Sequence, residues 1–278
     1  MEEITLQQVK DSLSRSGYLL ENRIMNMFIN KGFATESSHV FFLDTIEEKY
    51  REVDVIAINT LDNISFKDES LTLTVRFIVE CINNPVPLGL FENIGDMDET
   101  ATDWIYMFTN GSNILREEGS INWPSSISKY ESKILLSKPS RQYCSFIKKK
   151  DKSKDEWMAC HPNDFHNNLK KIAQYLKHDL KKISNNWDGI RPQMARLDLL
   201  IPVIVLQGDM LEIKNNCEID INPVDYYRLK IPYEDSLQKN VSIDIVTEKK
   251  FKEYLDQKTK TIQLMFNDLK EKLELSIV

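Results

Sequence analysis

Glycine is scarce in this chain, at 8 residues of 278. That shortage removes whole classes of function. No G-x-x-x-x-G-K-[ST] and no G-x-G-x-x-G occurs, so neither a phosphate-cradling loop nor a dinucleotide fingerprint is available. Cysteine is sparser still. Cys81, Cys144, Cys160 and Cys217 are scattered, with no C-x-x-C, a pattern that fits reduced thiols in a cytoplasm. Cys160 and His161 with His166 make part of a zinc set, and no second cysteine pair completes it. Long apolar runs are missing too. The longest, Leu199 to Leu206, is interrupted by Pro202 and falls far short of the roughly 20 residues that span a bilayer. The opening Met1-Glu2-Glu3 lacks the basic start of a signal peptide. The expectation is a cytoplasmic protein with no membrane partner.

Charge is present and unevenly placed. The net charge is −7, yet the two signs segregate along the chain. Residues 92–103 hold Glu92, Asp96, Asp98, Glu99 and Asp103 with no basic residue. Residues 138–154 hold Lys138, Arg141, Lys148, Lys149, Lys150, Lys152 and Lys154 against Asp151 alone. Such a basic segment either contacts phosphates or is a solvated turn.

Two acids stand where acids are expensive. Asp54 lies in Val53-Asp54-Val55-Ile56-Ala57-Ile58, and Glu80 lies in Val75-Arg76-Phe77-Ile78-Val79-Glu80-Cys81-Ile82. Both runs predict buried strands, where an unpaired carboxylate is costly. On adjacent strands the two can share a divalent cation, and hard oxygen ligands suit Mg²⁺ or Mn²⁺. The other reading makes each a strand-end residue bonded to backbone, to Arg51 or to Arg76. A third acid joins them. Residues 17–31 predict a helix with Ser16 as N-cap and Gly32 as its stop. Glu21 shares a face with Ile24, Met25 and Phe28, so it points toward the sheet, unless it serves only the helix dipole.

A helix with an inward glutamate, a strand, a strand with Asp54 and a strand with Glu80 follow in that order. This order resembles the PD-(D/E)XK nuclease family, whose fold is restriction-endonuclease-like. Glu21 matches the glutamate of the family's first helix, Asp54 the aspartate of its second core strand, and Glu80 the first acid of its third motif. Ile78-Val79-Glu80-Cys81-Ile82-Asn83-Asn84-Pro85 is similar to the stretch where many members read Glu-Cys-Lys-Asn, and Ile82 stands where the lysine belongs. The resemblance implies a mixed central sheet flanked by helices, in one domain over 1–278 with an insertion at 88–140 after the third core strand. It implies a metal-dependent nuclease acting on DNA, in restriction or anti-phage defence, with Asp54 and Glu80 on Mg²⁺ or Mn²⁺ and Glu21 beside them. Without the lysine, the alternative is a catalytically degenerate subunit of the same fold that binds nucleic acid or a partner protein. Arg76 or a lysine arriving from elsewhere is the candidate to replace it.

Along the rest of the chain, Thr5 caps a helix to about Arg15, and His39 to Leu43 is a strand. Residues 59–70 read as a loop. Arg141 to Ile147 and Glu156 to Cys160 form a hairpin. Asn163 or Asp164 then caps a long helix with Phe165, Leu169, Ile172, Ala173, Leu176, Leu180 and Ile183 on one stripe. Its opposite face holds Lys170, Lys171, Lys177, Lys181 and Lys182. With Lys148, Lys149 and Lys150, the lysines Lys170, Lys171 and Lys177 are the candidate nucleic-acid contacts. Pro202 to Leu206 is a buried strand that turns at Gly208 into Met210 to Ile213, a second hairpin. Tyr226 to Ile231 and Val241 to Val246 are strands. A final helix at 247–275 carries a stripe from Phe251 to Leu273 that Lys258 interrupts. That interruption suggests an end that packs on a partner protein or a second copy.

Overall fold

The computed structural model describes residues 4–36, 40–44, 48–66, 69–92, 105–110, 140–150, 155–187, 194–215, 218–232 and 240–275. Its elements run α1 (Leu6–Arg15), α2 (Tyr18–Ile29), β1 (Ala34–Glu36), β2 (Val40–Asp44), β3 (Lys49–Val53), β4 (Val55–Phe66), β5 (Glu69–Asn83), β6 (Leu88–Phe91), β7 (Ile105–Asn110), β8 (Tyr143–Lys150) and β9 (Asp155–Cys160). Then follow α3 (Asn163–Trp187), β10 (Met194–Gln207), β11 (Met210–Asn215), β12 (Ile219–Val224), β13 (Tyr226–Pro232), β14 (Asn240–Thr247) and α4 (Glu248–Leu275). Thr5 caps α1 in a reciprocal capping box: its Oγ1 accepts from Gln8 N at 3.2 Å while Gln8 Oε1 accepts from Thr5 N at 2.8 Å. Ser16 does not cap α2. It closes α1 instead, its Oγ donating to Leu13 O at 2.8 Å, and Gly17 stands at the α2 N-cap with no side-chain bond. Beyond α2, Gly32 takes φ +80°, the left-handed conformation a glycine adopts without strain.

The main sheet has the order β1-β4-β5-β10-β14-β13, with β7 also on β10. It is mixed. β5, β10 and β14 are parallel, and β1, β4, β7 and β13 add antiparallel. The parallel strands are covered on both faces, which is why their sequences read as nearly unbroken apolar runs. α2 and α4 cover one face through Leu20, Ile24, Phe28, Phe251 and Leu255. α3 covers the other through Phe165, Leu169, Ile172 and Leu176. A second sheet, β12-β11-β6-β8-β9, shares that second core through Leu88, Leu90 and Met210. The outcome is a mixed α/β architecture with four helices among the described residues.

Several expectations change. The loop read at 59–70 is mostly strand: β4 reaches Phe66 and pairs with β5 from Glu69, with a register shift between Leu61 and Asn63. Pairing with a long neighbour overrides the weak strand propensity of Asn and Asp. β10 and β11 are not a hairpin. The turn at Gly208 moves the chain from one sheet to the other, since β10 pairs with β5, β7 and β14 while β11 pairs with β6 and β12. Within the expected insertion, β6 seeds the second sheet and β7 joins β10. The acidic patch from Asp96 to Asp103 and the basic residues Lys138, Lys152 and Lys154 lie outside the described residues. Lys258 does not mark an exposed end. It is buried, and Ile262, Met265, Phe266 and Leu269 beyond it belong to the same core as Phe251.

Candidate functional site: an acidic cleft closed by a lysine

Asp54 is not inside a strand. It is the bend between β3 and β4. Antiparallel pairing of Val55 with Val79 puts Asp54, one step on, across from Glu80, and cross-strand neighbours have adjacent side chains. The bend turns Asp54 Oδ2 onto the Cys81 N–H, which donates to it at 2.7 Å. One oxygen of Asp54 therefore does bond to backbone, as the plainer sequence reading held. Its Oδ1 is left 3.7 Å from Lys171 Nζ, too far for a hydrogen bond. Lys171 Nζ is in direct contact with Glu80 Oε2. The other Glu80 oxygen, Oε1, is buried with no hydrogen-bond partner among the described residues. Burial first, and then the Asp54 charge, push the Glu80 carboxyl well above the usual range, and Lys171 opposes them.

Lys171 arrives from α3, on the face of the sheet that Glu80 shares with Arg76 and Ile78. Arg76 is not at the site. Its Nη1 donates to both Asp179 oxygens, at 2.6 and 2.7 Å. The two ion pairs are a matched ruler. Four residues of strand span about 13 Å and eight residues of helix about 12 Å, so α3 lies along β5 with Lys171 at Glu80 and Asp179 at Arg76. Lys171, one of the candidate nucleic-acid contacts on the lysine face of α3, stands against Glu80. Lys171, Tyr175 and Asp179 stand at i, i+4 and i+8, a second stripe of α3 that the surrounding lysines concealed in the sequence. Tyr175 and Asp179 are buried.

Glu21 comes from the opposite side. α2 packs on the other face of the sheet, and Glu21 reaches the sheet's end. A cleft of about 580 Å³ is lined there by Glu21, Asp54 and Lys171 together with Gly17, Tyr18 and residues 49–52 of β3. The charges of Asp54, Glu21 and Glu80 all act on the nearby Cys81 thiol, which burial first and these charges next push well above its usual value. The acids expected together are thus near one another, around a lysine the sequence reading had assigned elsewhere. Among the described residues no group of three or more His, Cys, Asp or Glu is arranged to hold a metal. Ile82 is partly buried against the core under α3.

Of the other candidate lysines, Lys148, Lys170 and Lys177 do not line this cleft. Lys148 is exposed on β8, Lys170 is exposed on α3, and Lys177 is half-buried. The side chains of Lys149 and Lys150 lie outside the described residues. His161 and His166 have ring centroids 5.1 Å apart, and His166 Nδ1 shares a 2.5 Å hydrogen bond with Tyr143 Oη, an arrangement of side chains rather than a zinc centre. A second buried charge set lies under α4. Asp244 Oδ1 accepts from Arg228 Nε at 2.9 Å, and its Oδ2 accepts from Tyr254 Oη at 2.8 Å and pairs with Lys258 Nζ at 2.7 Å.

No family model matches the chain, and comparisons with curated proteins and with solved structures find no match. No helix among the described residues is long and apolar enough to cross a membrane.

Proposed function

We propose that the chain is a metal-dependent nuclease that hydrolyses phosphodiester bonds of DNA. The observation that carries this reading is the Lys171 ammonium between Asp54 and Glu80. It supplies from a helix the cation that Ile82 fails to supply from the strand. The residues fit the Mg²⁺ or Mn²⁺ that the resemblance implies. Asp54 Oδ1 stands 3.7 Å from Lys171 Nζ, and Glu80 Oε1 is a buried oxygen with no hydrogen-bond partner among the described residues. Mg²⁺ keeps several waters and takes one or two carboxylates plus substrate phosphate, so these two oxygens suffice as protein ligands. Bound there, the ion would lower the pKa of a water and offset charge on the phosphoryl oxygens. Asp54 and Glu80 would hold it. The Lys171 ammonium would hydrogen-bond a phosphate oxygen and orient the attacking water. Glu21 would accept a hydrogen bond from that water. The restriction or anti-phage role implied by the resemblance belongs to this same reading.

One observation favours a second reading. The ammonium fills the space between the acids, and a lysine that only neutralises two carboxylates makes a structural ion pair. The chain would then be a nuclease-fold subunit that binds nucleic acid or a partner protein.

Nicking of supercoiled plasmid in Mg²⁺ or Mn²⁺ separates them. Under the nuclease reading, wild type nicks. Asp54→Ala abolishes nicking, and Lys171→Met slows it roughly 100-fold or more, the scale of a positioned proton-handling group. Ile82→Lys gives no gain, because Lys171 already serves, and it lowers the melting temperature by putting a charge against a core. A folded wild type that neither nicks nor binds either metal by calorimetry overturns the nuclease reading.

A further inference from the structure

Two largely exposed aromatic residues line the acidic cleft. Tyr50 on β3 is 74% exposed and Tyr18 at the start of α2 is 62% exposed, and both line the cleft. Neither is needed by the core, which holds Leu20, Ile24 and Phe28 from α2 and Val53 from β3. One comes from a helix and the other from a strand. Glu21, Lys49, Arg51, Glu52, Asp54 and Lys171 supply the charged part of the same lining.

We infer that this aromatic pair is a stacking clamp for unpaired bases, so that the strand entering the cleft is single-stranded DNA. The inference rests on the nuclease reading for what the cleft does, and on the tyrosines for what it admits. A tyrosine ring can stack on any base that shows its π-face, with little regard for sequence. In a duplex those faces are stacked inside, and only base edges show in the grooves. Two exposed rings lining one cleft therefore have no partner on a duplex, whereas an unpaired strand offers one base to each. The chemistry inside agrees, with cations at Lys49 and Lys171 for the backbone phosphates. The cleft, at about 580 Å³, lies within the range of about 300–1,000 Å³ that encloses small ligands. That is room for a nucleotide unit, and enzymes that work in such pockets act on single strands or extrude a base from the duplex.

The test uses the full chain and fluorescein-labelled DNA of about 15 nucleotides, within the span single-strand binding folds cover. The probe is presented as a single strand or as a blunt duplex, with Ca²⁺ in place of the catalytic ion, and binding is read by anisotropy. The single strand binds at least tenfold more tightly than the duplex. Tyr18→Ala and Tyr50→Ala each weaken the single strand about tenfold, leave duplex binding unchanged and leave the melting temperature unchanged, since both rings are exposed. Tyr50→Trp retains single-strand affinity. A duplex bound as tightly as the single strand, no binding of either probe, or alanine variants that bind the single strand like wild type overturns the clamp. Cleavage is scored separately. Duplex nicking that depends on Asp54, without single-strand preference, removes the clamp and leaves the nuclease. Tyrosine-dependent single-strand binding, with no cleavage in Mg²⁺ or Mn²⁺, removes the nuclease and leaves the clamp.

Discussion

Asp244 shows what a buried charge needs in this molecule. Burial raises a carboxyl's pKa, yet Asp244 is held down to about 2 because Arg228 and Lys258 outweigh burial, with Tyr254 and Lys258 hydrogen-bonding the anion. Lys258 pays for the arrangement. Burial lowers its pKa to about 8 although Asp244 opposes the shift. The pH dependence follows. Asp244 has a depressed folded value, so its stabilisation is present above pH about 4 and is lost as pH falls toward about 2, a difference of about 2 kcal/mol. Lys258, whose folded value is also depressed, acts with the same sign at higher pH. Between about pH 8 and 10.5 the unfolded chain holds a proton that the folded chain gives up, so its contribution to stability rises with pH. Urea titrations across pH check both. Asp244→Ala should cost about 3–5 kcal/mol near neutrality by stranding two buried cations. Lys258→Met should remove the gain between pH 8 and 10.5. Equal pH profiles for wild type and Lys258→Met would contradict the assignment.

The elements show how local chemistry meets long-range pairing. The apolar stripe of α3 was legible as a 3.6-residue period, and the helix forms where that period predicts. Its second stripe was not, because Lys171 and Asp179 look like solvated charges until β5 presents Glu80 and Arg76 at matching spacing. The turn after β10 is a similar case. Gly208 was legible as a turn, but not that the turn changes sheets. A Cβ at Gly208 would stand 2.4 Å from Asn84 O, a backbone atom at the end of the neighbouring strand. Asn84 N donates to Gln207 O at 3.2 Å in the same place. Gly208→Ala should therefore force β5 and β10 apart at that end and cost about 1–3 kcal/mol, the scale of an overpacked contact, measured by chemical denaturation. A stability equal to wild type would mean the two strand ends yield without cost.

At the scale of the whole molecule, α3 belongs to two sheets at once. Phe165, Leu169 and Ile172 share one core with Ile78 and Leu200 of the main sheet and with Leu88 and Met210 of the second. A shared core couples the sheets, so thermal unfolding followed by far-ultraviolet and near-ultraviolet circular dichroism should give coincident transitions. Two separated transitions would show that the second sheet folds by itself. By itself, the sequence determined the apolar runs that become core strands, the apolar faces of the helices, and the place of Glu80 on a core strand. Those depend on periodicity and on the cost of burying charge, and both are local properties of the chain. Only the tertiary structure decided that Asp54 bends out between two strands, that Lys171 rather than Arg76 meets Glu80, and that Lys258 points inward to Asp244. Each of those is a choice of ionic partner across 14 or more residues of chain. An ion pair forms only where packing brings its two ends together and away from water, and no spacing along the chain encodes that approach.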